Sequence, residues 1–264
     1  MHPILNIAIS AARKAGNVML RSIERLDTIN PTAKGLNDFV TDVDKKAESE
    51  IIAIIKKAHP NHQILAEETG LHPGLSECEW IIDPLDGTYN YMRGFPHFSV
   101  SIAFRYRGKL EHGLIFDPIR QELFTASRGE GARLNDRRLR ISATSKLANA
   151  VLATGFPMRH PEKLPGYLNF FQQLMLEISK IRCAGSAALD LAYVAAGRLD
   201  GYFETDLKAW DIAAGALLVK EAGGLVGDWQ GGENYLEKGD IIVGTPKVFS
   251  ALTQFVGKNW KEKS

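Results

Sequence analysis

The chain contains few of the features that mark disulfide-rich, membrane-spanning or nucleic-acid-coating proteins. Its 264 residues include only two cysteines, Cys78 and Cys183, which are too few for a disulfide framework and are typical of a reducing cytoplasm. The formal net charge is +1, so the composition indicates neither a nucleic-acid coat nor a polyacidic surface. No run approaches the roughly 18 consecutive apolar residues that a membrane span requires.

Two helices are expected in the first part of the chain. Apolar side chains recur at helical spacing at Ile4, Leu5, Ala8, Ile9 and Ala12. This spacing predicts an amphipathic helix over residues 3–25, and the segment lacks the basic start and long apolar stretch of a signal peptide. Residues 28–40 contain several helix breakers, which predict a loop before a second helix that follows Thr41.

The remaining pattern predicts two sheets layered with helices. From Phe98 onward, apolar and polar residues alternate through strands separated by turns, which is typical of an antiparallel meander. Later, strand and helix patterns alternate, with helices expected over residues 164–178 and from Asp211 onward. We therefore expect one continuous structural unit, in which residues 1–148 form an α+β half and residues 149–264 an α/β half.

The most informative segment is residues 80–88, Trp-Ile-Ile-Asp-Pro-Leu-Asp-Gly-Thr. A buried strand is predicted to end abruptly at Asp83 and Pro84 and to deliver a second carboxylate at Asp86. With the Leu85 carbonyl, these carboxylates would form a hard-oxygen site of the kind that suits Mg²⁺. The amides after Gly87 could begin a helix and hold a phosphate. Taken alone, the segment is better explained as an ordinary polar turn, and the other acidic clusters reduce the weight of that explanation.

Further acidic residues follow predicted strands or begin predicted helices. Glu67 follows a strand-like run and is either solvated or a ligand. Asp44 lies at capping-box spacing from Thr41. Asp211 precedes an apolar helical run, where an N-cap role is sufficient to explain it. Together with Glu204 on the preceding strand, Asp211 predicts a polar wall.

Five ordered segments resemble the inositol monophosphatase family, most closely its bacterial members, over nearly the whole chain. They are residues 38–44 (Asp-Phe-Val-Thr-Asp-Val-Asp), 67–70 (Glu-Glu-Thr-Gly), 80–88, 184–188 (Ala-Gly-Ser-Ala-Ala) and 210–215 (Trp-Asp-Ile-Ala-Ala-Gly). Chance does not easily place all of them at family-like spacing. The resemblance implies a layered αβαβα sandwich, a homodimer and inhibition by lithium.

The resemblance also implies site residues, position by position. The metal ligands would be Glu67, Asp83, Asp86 and Asp211 with the Leu85 carbonyl. Roughly two or three Mg²⁺ ions would occupy the site. Glu67 and Thr88 would orient and activate the attacking water, while Asp44 would support Thr88 and a third, weaker metal position. The substrate-binding residues would be Asp86, Gly87, Thr88, Ser186, Ala187, Glu204 and Asp211.

The implied activity is the hydrolysis of a small polyol phosphate, favoured here as inositol monophosphate, by a metal-activated water. Fructose 1,6-bisphosphate, 3′-phosphoadenosine phosphate and histidinol phosphate are substrates of related members and stay open. Tyr89 stands where the family usually has threonine, which puts the fit of the substrate in doubt. Cys183 stands where bacterial members commonly have arginine, which bears on subunit or partner contacts.

Other enzyme classes fit less well. Haloacid-dehalogenase-like phosphatases carry Asp-x-Asp-x-Thr after an early strand, whereas Asp83 and Asp86 are one residue further apart. No P-loop sequence occurs. The histidines have no metal-like spacing with cysteine and are interpreted as surface or core residues.

A second class of function is implied by bacterial family members that bind the transcription machinery together with a Nus factor and RNA polymerase. The chain could act mainly as such a partner in ribosomal-RNA antitermination, with catalysis secondary. Five arginines occur at Arg128, Arg133, Arg137, Arg138 and Arg140. An acidic partner or nucleic acid could contact them, but the exposed face of a hairpin explains them more simply.

Overall fold

A computed structural model describes residues 2–23, 32–36 and 38–260 of the chain. The α-helices of these residues are α1 (Pro3–Ile23), α2 (Asp42–Ala58), α3 (Thr88–Met92), α4 (Leu164–Leu174), α5 (Ala187–Ala195), α6 (Ala209–Glu221), α7 (Tyr235–Lys238) and α8 (Pro246–Asn259). The strands are β1 (Thr32–Gly35), β2 (Asp38–Val40), β3 (Gln63–Ala66), β4 (Gly70–His72), β5 (Cys78–Asp86), β6 (Ser99–Tyr106), β7 (Lys109–Asp117), β8 (Glu122–Ser127), β9 (Gly131–Leu134), β10 (Arg137–Arg138), β11 (Val151–Thr154), β12 (Lys180–Arg182), β13 (Gly201–Glu204), β14 (Leu225–Gly227) and β15 (Ile241–Gly244).

Sheets and helices alternate in five layers. The first sheet has the order β10-β9-β8-β7-β6-β5-β3-β4 and is antiparallel except between β3 and β5. The second sheet has the order β12-β11-β13-β15-β14, with β11 parallel to both neighbours. Helices α1 and α2 pack on the outer face of the first sheet, α5 and α6 lie between the sheets, and α4 and α8 cover the second sheet. The predicted layered sandwich is therefore confirmed.

The central strands are buried on both faces because helices cover both sides of the first sheet. On β6, Ile102 and Phe104 pack towards α1 and α2, while Ala103 packs towards α6. The residues between the sheets come from both halves of the chain. The division of the chain at residue 148 stays a prediction. No helix in the described part of the chain has the length and apolar character to cross a membrane.

Helix α6 lies directly against the first sheet at Gly113 of β7. A Cβ atom built on Gly113 would lie 2.8 Å from the Ala214 carbonyl oxygen. Since real Cβ atoms do not approach a backbone atom so closely, the glycine allows α6 to lie directly on the sheet.

Gly113→Ala is expected to destabilise the fold by about 1–3 kcal/mol, because the added methyl group must push α6 away from the sheet. Urea denaturation would measure the change in the free energy of unfolding. Gly257→Ala is the matched control, since a Cβ at Gly257 meets nothing within 4 Å. Equal stability of both variants would contradict the close packing described here.

Several boundaries differ from the sequence prediction. Part of the expected loop over residues 28–40 forms the antiparallel pair β1 and β2, because backbone pairing needs no apolar pattern. Residues 28–31 and residues 24–25 of the first predicted helix lie outside the described residues. The helix expected over residues 164–178 ends at Leu174, and the residues after it lead into β12, which the sequence analysis missed.

Candidate active site

Strand β5 does not end at Asp83 and Pro84 as predicted but continues to Asp86. Its pairing with β6 shifts between Asp83 and Asp86, as in a β-bulge. The irregular pairing tolerates Pro84 here, because proline has no N–H to donate to the hydrogen-bond ladder of a regular strand. Within the irregular stretch, the Leu85 N–H donates to Asp83 Oδ1 at 2.9 Å. The bulge therefore carries both carboxylates at the end of a buried strand.

Three aspartates from distant parts of the chain converge at this bulge. Asp83, Asp86 and Asp211 each offer a carboxylate oxygen, and these oxygens lie within 4.8 Å of one another. Asp211 is the third residue of α6 rather than its N-cap, which is Lys208. The Lys208 N–H donates to Asp211 Oδ2 at 2.6 Å, so the first turn of α6 orients the third carboxylate. The N-cap interpretation was therefore wrong.

Glu67 reaches the same place through the parallel pairing of β3 with β5. Its N–H donates to the Ile82 carbonyl oxygen at 3.1 Å, which extends the pairing one residue past β3. Burial raises the pKa of Asp83, and the charge of the nearby Glu67 carboxyl group adds to this effect. The Glu67 side chain therefore lies beside Asp83.

Thr88 and Asp44 form a second polar group beside the aspartates. The Thr88 hydroxyl lies 2.9 Å from Asp44 Oδ1 and 3.0 Å from the Leu85 carbonyl oxygen. The predicted capping box is confirmed, because Asp44 Oδ2 accepts from the Thr41 N–H and Thr41 accepts from the Val43 N–H. Asp44 is completely buried, so the helix cap fixes the acceptor that Thr88 faces.

Gly87 turns the chain from β5 into α3. It has a φ of 92°, which favours glycine, and it is the N-cap of α3. Asn90 of α3 donates its side-chain amide to the Ala184 carbonyl oxygen at 2.7 Å and to the His97 carbonyl oxygen at 2.8 Å. These bonds attach the segment before α5 to the end of β5.

Helix α5 contacts Asp86 through its N-terminus. Ser186 is the N-cap of α5, and its hydroxyl donates to Asp86 Oδ2 at 2.5 Å. The Ala188 N–H donates to the same oxygen at 2.8 Å. With Oδ2 bonded twice, Oδ1 of Asp86 is the oxygen left to face a ligand.

Glu204 forms a separate wall at the end of β13. The Tyr202 hydroxyl donates to Glu204 Oε2 at 2.5 Å. Gly155, at the end of the parallel strand β11, lies so close that any Cβ would overlap the Glu204 carboxylate. The glycine therefore makes room for the carboxylate at this position.

A cavity of about 240 Å³ opens between these groups. Every predicted site residue except Asp44 lines it. The sequence analysis missed Gly155 to Arg159, Asp190 and Thr205 to Leu207, which also line it. Since β11 and β13 are parallel neighbours, their carboxyl ends lie at the same edge of the sheet. This pairing is the signal that could have located the loop after Gly155 beside Glu204.

Burial and mutual repulsion keep these acids from ionising easily. Burial raises the pKa of Asp83 well above its usual range, and the charges of Glu67 and Asp86 add to this effect. Burial raises the pKa of Asp86 to about 6, and burial with the charge of Asp86 raises the pKa of Asp211 to about 7. Burial raises the pKa of Glu204 to about 8, with added repulsion from Asp211. A cation placed among them would relieve the repulsion.

The donor set fits a hard divalent cation. Asp83, Asp86 and Asp211 offer carboxylate oxygens, and the Leu85 carbonyl lines the same cavity. Within the part of the chain that the structure describes, the three aspartates are the only group of three or more acidic, histidine or cysteine residues with ligand atoms this close, and no histidine belongs to it. Oxygen ligands of this kind suit Mg²⁺ better than softer metals.

The two departures from the family pattern lie near the cavity. Tyr89 is 54% exposed, and its ring lies against the Arg93 guanidinium with 5.5 Å between the guanidinium carbon and the ring centroid. The side chain thus stands at the rim. Cys183 has a free thiol and is exposed at the surface.

The sequence and the fold are similar to those of known proteins. The profile of the Inositol monophosphatase family matches residues 1–260. Nus factor SuhB of Haemophilus influenzae is 54% identical over 253 residues, which cover 96% of this chain and 95% of that protein. The extragenic suppressor protein suhB of Bartonella henselae has a TM-score of 0.94 at 44% identity, covering 97% of this chain and 99% of that one. The Thermotoga maritima IMPase has a TM-score of 0.89 at 33% identity, covering 97% and 98%.

Proposed function

The chain belongs to the inositol monophosphatase family, and we propose that it hydrolyses a small polyol phosphate, inositol monophosphate above all, with Mg²⁺ as cofactor. The observation that carries this proposal is the convergence of Asp83, Asp86 and Asp211 within 4.8 Å at the floor of the cavity. The pKa values of Asp86 and Asp211 are raised because burial disfavours their charged forms. A divalent cation bound among these acids would favour the charged forms, which supports a metal site here.

Asp83, Asp86, Asp211, Glu67 and the Leu85 carbonyl would hold the metal. When bound there, Mg²⁺ would neutralise charge on the phosphoryl group and lower the pKa of the attacking water. If the Leu85 carbonyl oxygen binds the metal, Asp44 is the acceptor that remains for the Thr88 hydroxyl. The Thr88 oxygen can then accept a hydrogen bond from the attacking water. The Glu67 carboxylate accepts the other proton. The pair thereby orients the water and removes a proton from it.

The part of the cavity lining around Glu204 suits the alcohol part of the substrate. We assign the phosphate to the backbone amides of Gly87 and Thr88, and the hydroxyl groups to Glu204, Ser186, Ala187 and Asp211. Carboxylates accept hydrogen bonds from several hydroxyls at once, which favours a polyol over an apolar alcohol. A cavity of about 240 Å³ accommodates a compact ligand.

The substrate is tested by measuring phosphate release from inositol 1-phosphate, fructose 1,6-bisphosphate, 3′-phosphoadenosine phosphate and histidinol phosphate at saturating Mg²⁺. We expect the largest kcat/KM for inositol 1-phosphate, and inhibition by added lithium. A larger kcat/KM for another member of this panel would replace our choice of substrate and keep the phosphatase. No release from any of them would remove the phosphatase itself.

Gly155→Ala is expected to raise KM for the polyol phosphate by roughly tenfold or more, because the methyl group must displace the Glu204 carboxylate. Initial-rate kinetics would measure KM and kcat separately. Gly166→Ala serves as the control, since its Cβ would meet only Trp260 at an ordinary distance of 3.7 Å. An unchanged KM for Gly155→Ala would remove Glu204 from the substrate contacts.

We propose, as a second function, that the chain assembles with the transcription machinery. The supporting observation is its 54% identity to a protein named as a Nus factor. The hairpin of β9 and β10 exposes Arg133, Arg137 and Arg138 to a possible acidic partner. The test is whether an Asp86→Asn variant still binds Nus factors and RNA polymerase and supports growth. If binding and growth are retained, assembly is the main role of the protein. If they are lost, the assembly role depends on the active site.

A further inference from the structure

Helix α2 buries a second carboxylate one turn after Asp44. Glu48 is 1% exposed, although glutamate is almost never buried without partners. It lies on the same face of α2 as Asp44, because residues four apart share a helix face. The sequence analysis assigned no role to this residue.

Both carboxylate oxygens of Glu48 accept hydrogen bonds from the turn between β3 and β4. The Glu68 N–H donates to Oε2 at 2.8 Å. The Thr69 hydroxyl donates to Oε1 at 2.7 Å and lies 2.6 Å from His72 Nε2. Glu48 therefore attaches α2 to the turn that begins at Glu67.

These bonds fix the backbone of Glu67 from both sides. On one side, the Glu67 N–H donates to the Ile82 carbonyl oxygen at 3.1 Å, which attaches Glu67 to β5. On the other side, the next N–H in the chain donates to Glu48. With both amides held, the Glu67 side chain leaves the backbone at one defined point beside Asp83.

The same helix also holds Thr88. Asp44 Oδ1 accepts from the Thr88 hydroxyl at 2.9 Å, and Asp44 and Glu48 are one helical turn apart on a rigid element. Helix α2 thus sets the position of Thr88 relative to Glu67. In the proposed function, Thr88 and Glu67 are the two residues that orient the attacking water.

We propose that Glu48 is a positioning residue, which holds Glu67 in place for the metal and the water; this inference rests on the proposed function. Both donors to Glu48 come from the two residues that follow Glu67, so its hydrogen bonds act on the segment that carries Glu67. A glutamine can keep both hydrogen bonds, since its oxygen accepts from the Glu68 N–H and its amide donates to the Thr69 hydroxyl. An alanine cannot.

The test compares Glu48→Gln, Glu48→Ala and Thr69→Val, with Glu50→Ala as the control on the same helix. Isothermal calorimetry measures Mg²⁺ affinity, and phosphate release is measured against Mg²⁺ concentration. We expect Glu48→Ala to lose about 10- to 100-fold in Mg²⁺ affinity, as removal of outer-shell partners does. Thr69→Val should lose less, and Glu48→Gln and Glu50→Ala should remain close to the wild type.

Wild-type Mg²⁺ affinity in Glu48→Ala would overturn the positioning role. Should Glu48→Ala not fold, wild-type affinity in Thr69→Val would overturn it equally, because the Thr69 side chain is exposed at the surface. Failure of the proposed function looks different, since the wild-type protein would then bind Mg²⁺ without releasing phosphate. In that case the calorimetric comparison still decides the role of Glu48. A wild type that binds no Mg²⁺ would overturn both.

Discussion

Asp86→Asn is expected to lower kcat for phosphate release by a thousandfold or more, which corresponds to about 4 kcal/mol of transition-state stabilisation. The substitution keeps the shape of the side chain. The Ser186 hydroxyl and the Ala188 N–H both donate to Asp86 Oδ2, so the asparagine oxygen takes that position. Its NH₂ group then points at the metal position with the wrong sign of charge. Initial rates at saturating Mg²⁺, with melting curves to verify folding, would measure the loss.

Asp136→Asn provides the matched control for this loss. Asp136 lies at the turn of the β9–β10 hairpin with a φ of 68°, a conformation that asparagine also adopts. Its side chain is exposed and distant from the cavity lining. We expect the control to keep its full activity. An Asp86→Asn variant that keeps more than a tenth of the wild-type rate would contradict the role of Asp86 as a metal ligand.

The metal-free protein is expected to lose stability as pH rises from about 6.5 to about 8, a range in which His62, His97 and His112, whose pKa values burial lowers, are neutral in both the folded and the unfolded state. The pKa values of Asp86, Asp211 and Glu204 are raised to about 6, about 7 and about 8, whereas the unfolded chain has ordinary values. The folded state therefore binds more protons over this range, and stability falls as those protons leave. Over this range the protons that Asp211 and Glu204 hold correspond to on the order of 3 kcal/mol of the free energy of unfolding. The change in Tm would be roughly 5–10 °C.

Bound Mg²⁺ should remove most of this pH dependence. A cation keeps the carboxylates ionised in the folded state, so folding no longer takes up protons. Calorimetric melting at several pH values, in EDTA and in Mg²⁺, measures both slopes. Glu204→Gln should flatten the metal-free slope between about pH 7 and 8, because it removes the group that titrates there. If stability in EDTA rises with pH over the same range, burial does not disfavour the charged forms of these acids.

The sequence predicts the fold and the chemistry where residues carry their signal locally. Asp83, Asp86 and Gly87 lie in one segment whose strand, turn and helix start can be read from neighbouring residues. The layered fold follows from the change from alternating to helical periodicity. The capping box at Thr41 and Asp44 also needs only four residues. Among these features, the end of β5 differs from the prediction, since the strand continues to Asp86.

The rest depends on contacts between distant segments. Nothing near Glu48 in the sequence indicates that its carboxylate binds a turn about twenty residues later. The extension of β5 past Pro84 depends on its pairing with β6, which allows a bulge that local propensity does not predict. The third position of Asp211 in α6 depends on where Lys208 ends the preceding loop. Such features are set by tertiary pairing rather than by residue type.

Phosphate release from inositol 1-phosphate by the wild-type protein, followed as Mg²⁺ is added to a metal-free sample, tests the central claim most directly. We expect no release in EDTA, release that rises and saturates with Mg²⁺, and its loss when EDTA is added again. Release that is equally fast with and without Mg²⁺ would contradict it, because the three converging aspartates would then have no part in the reaction.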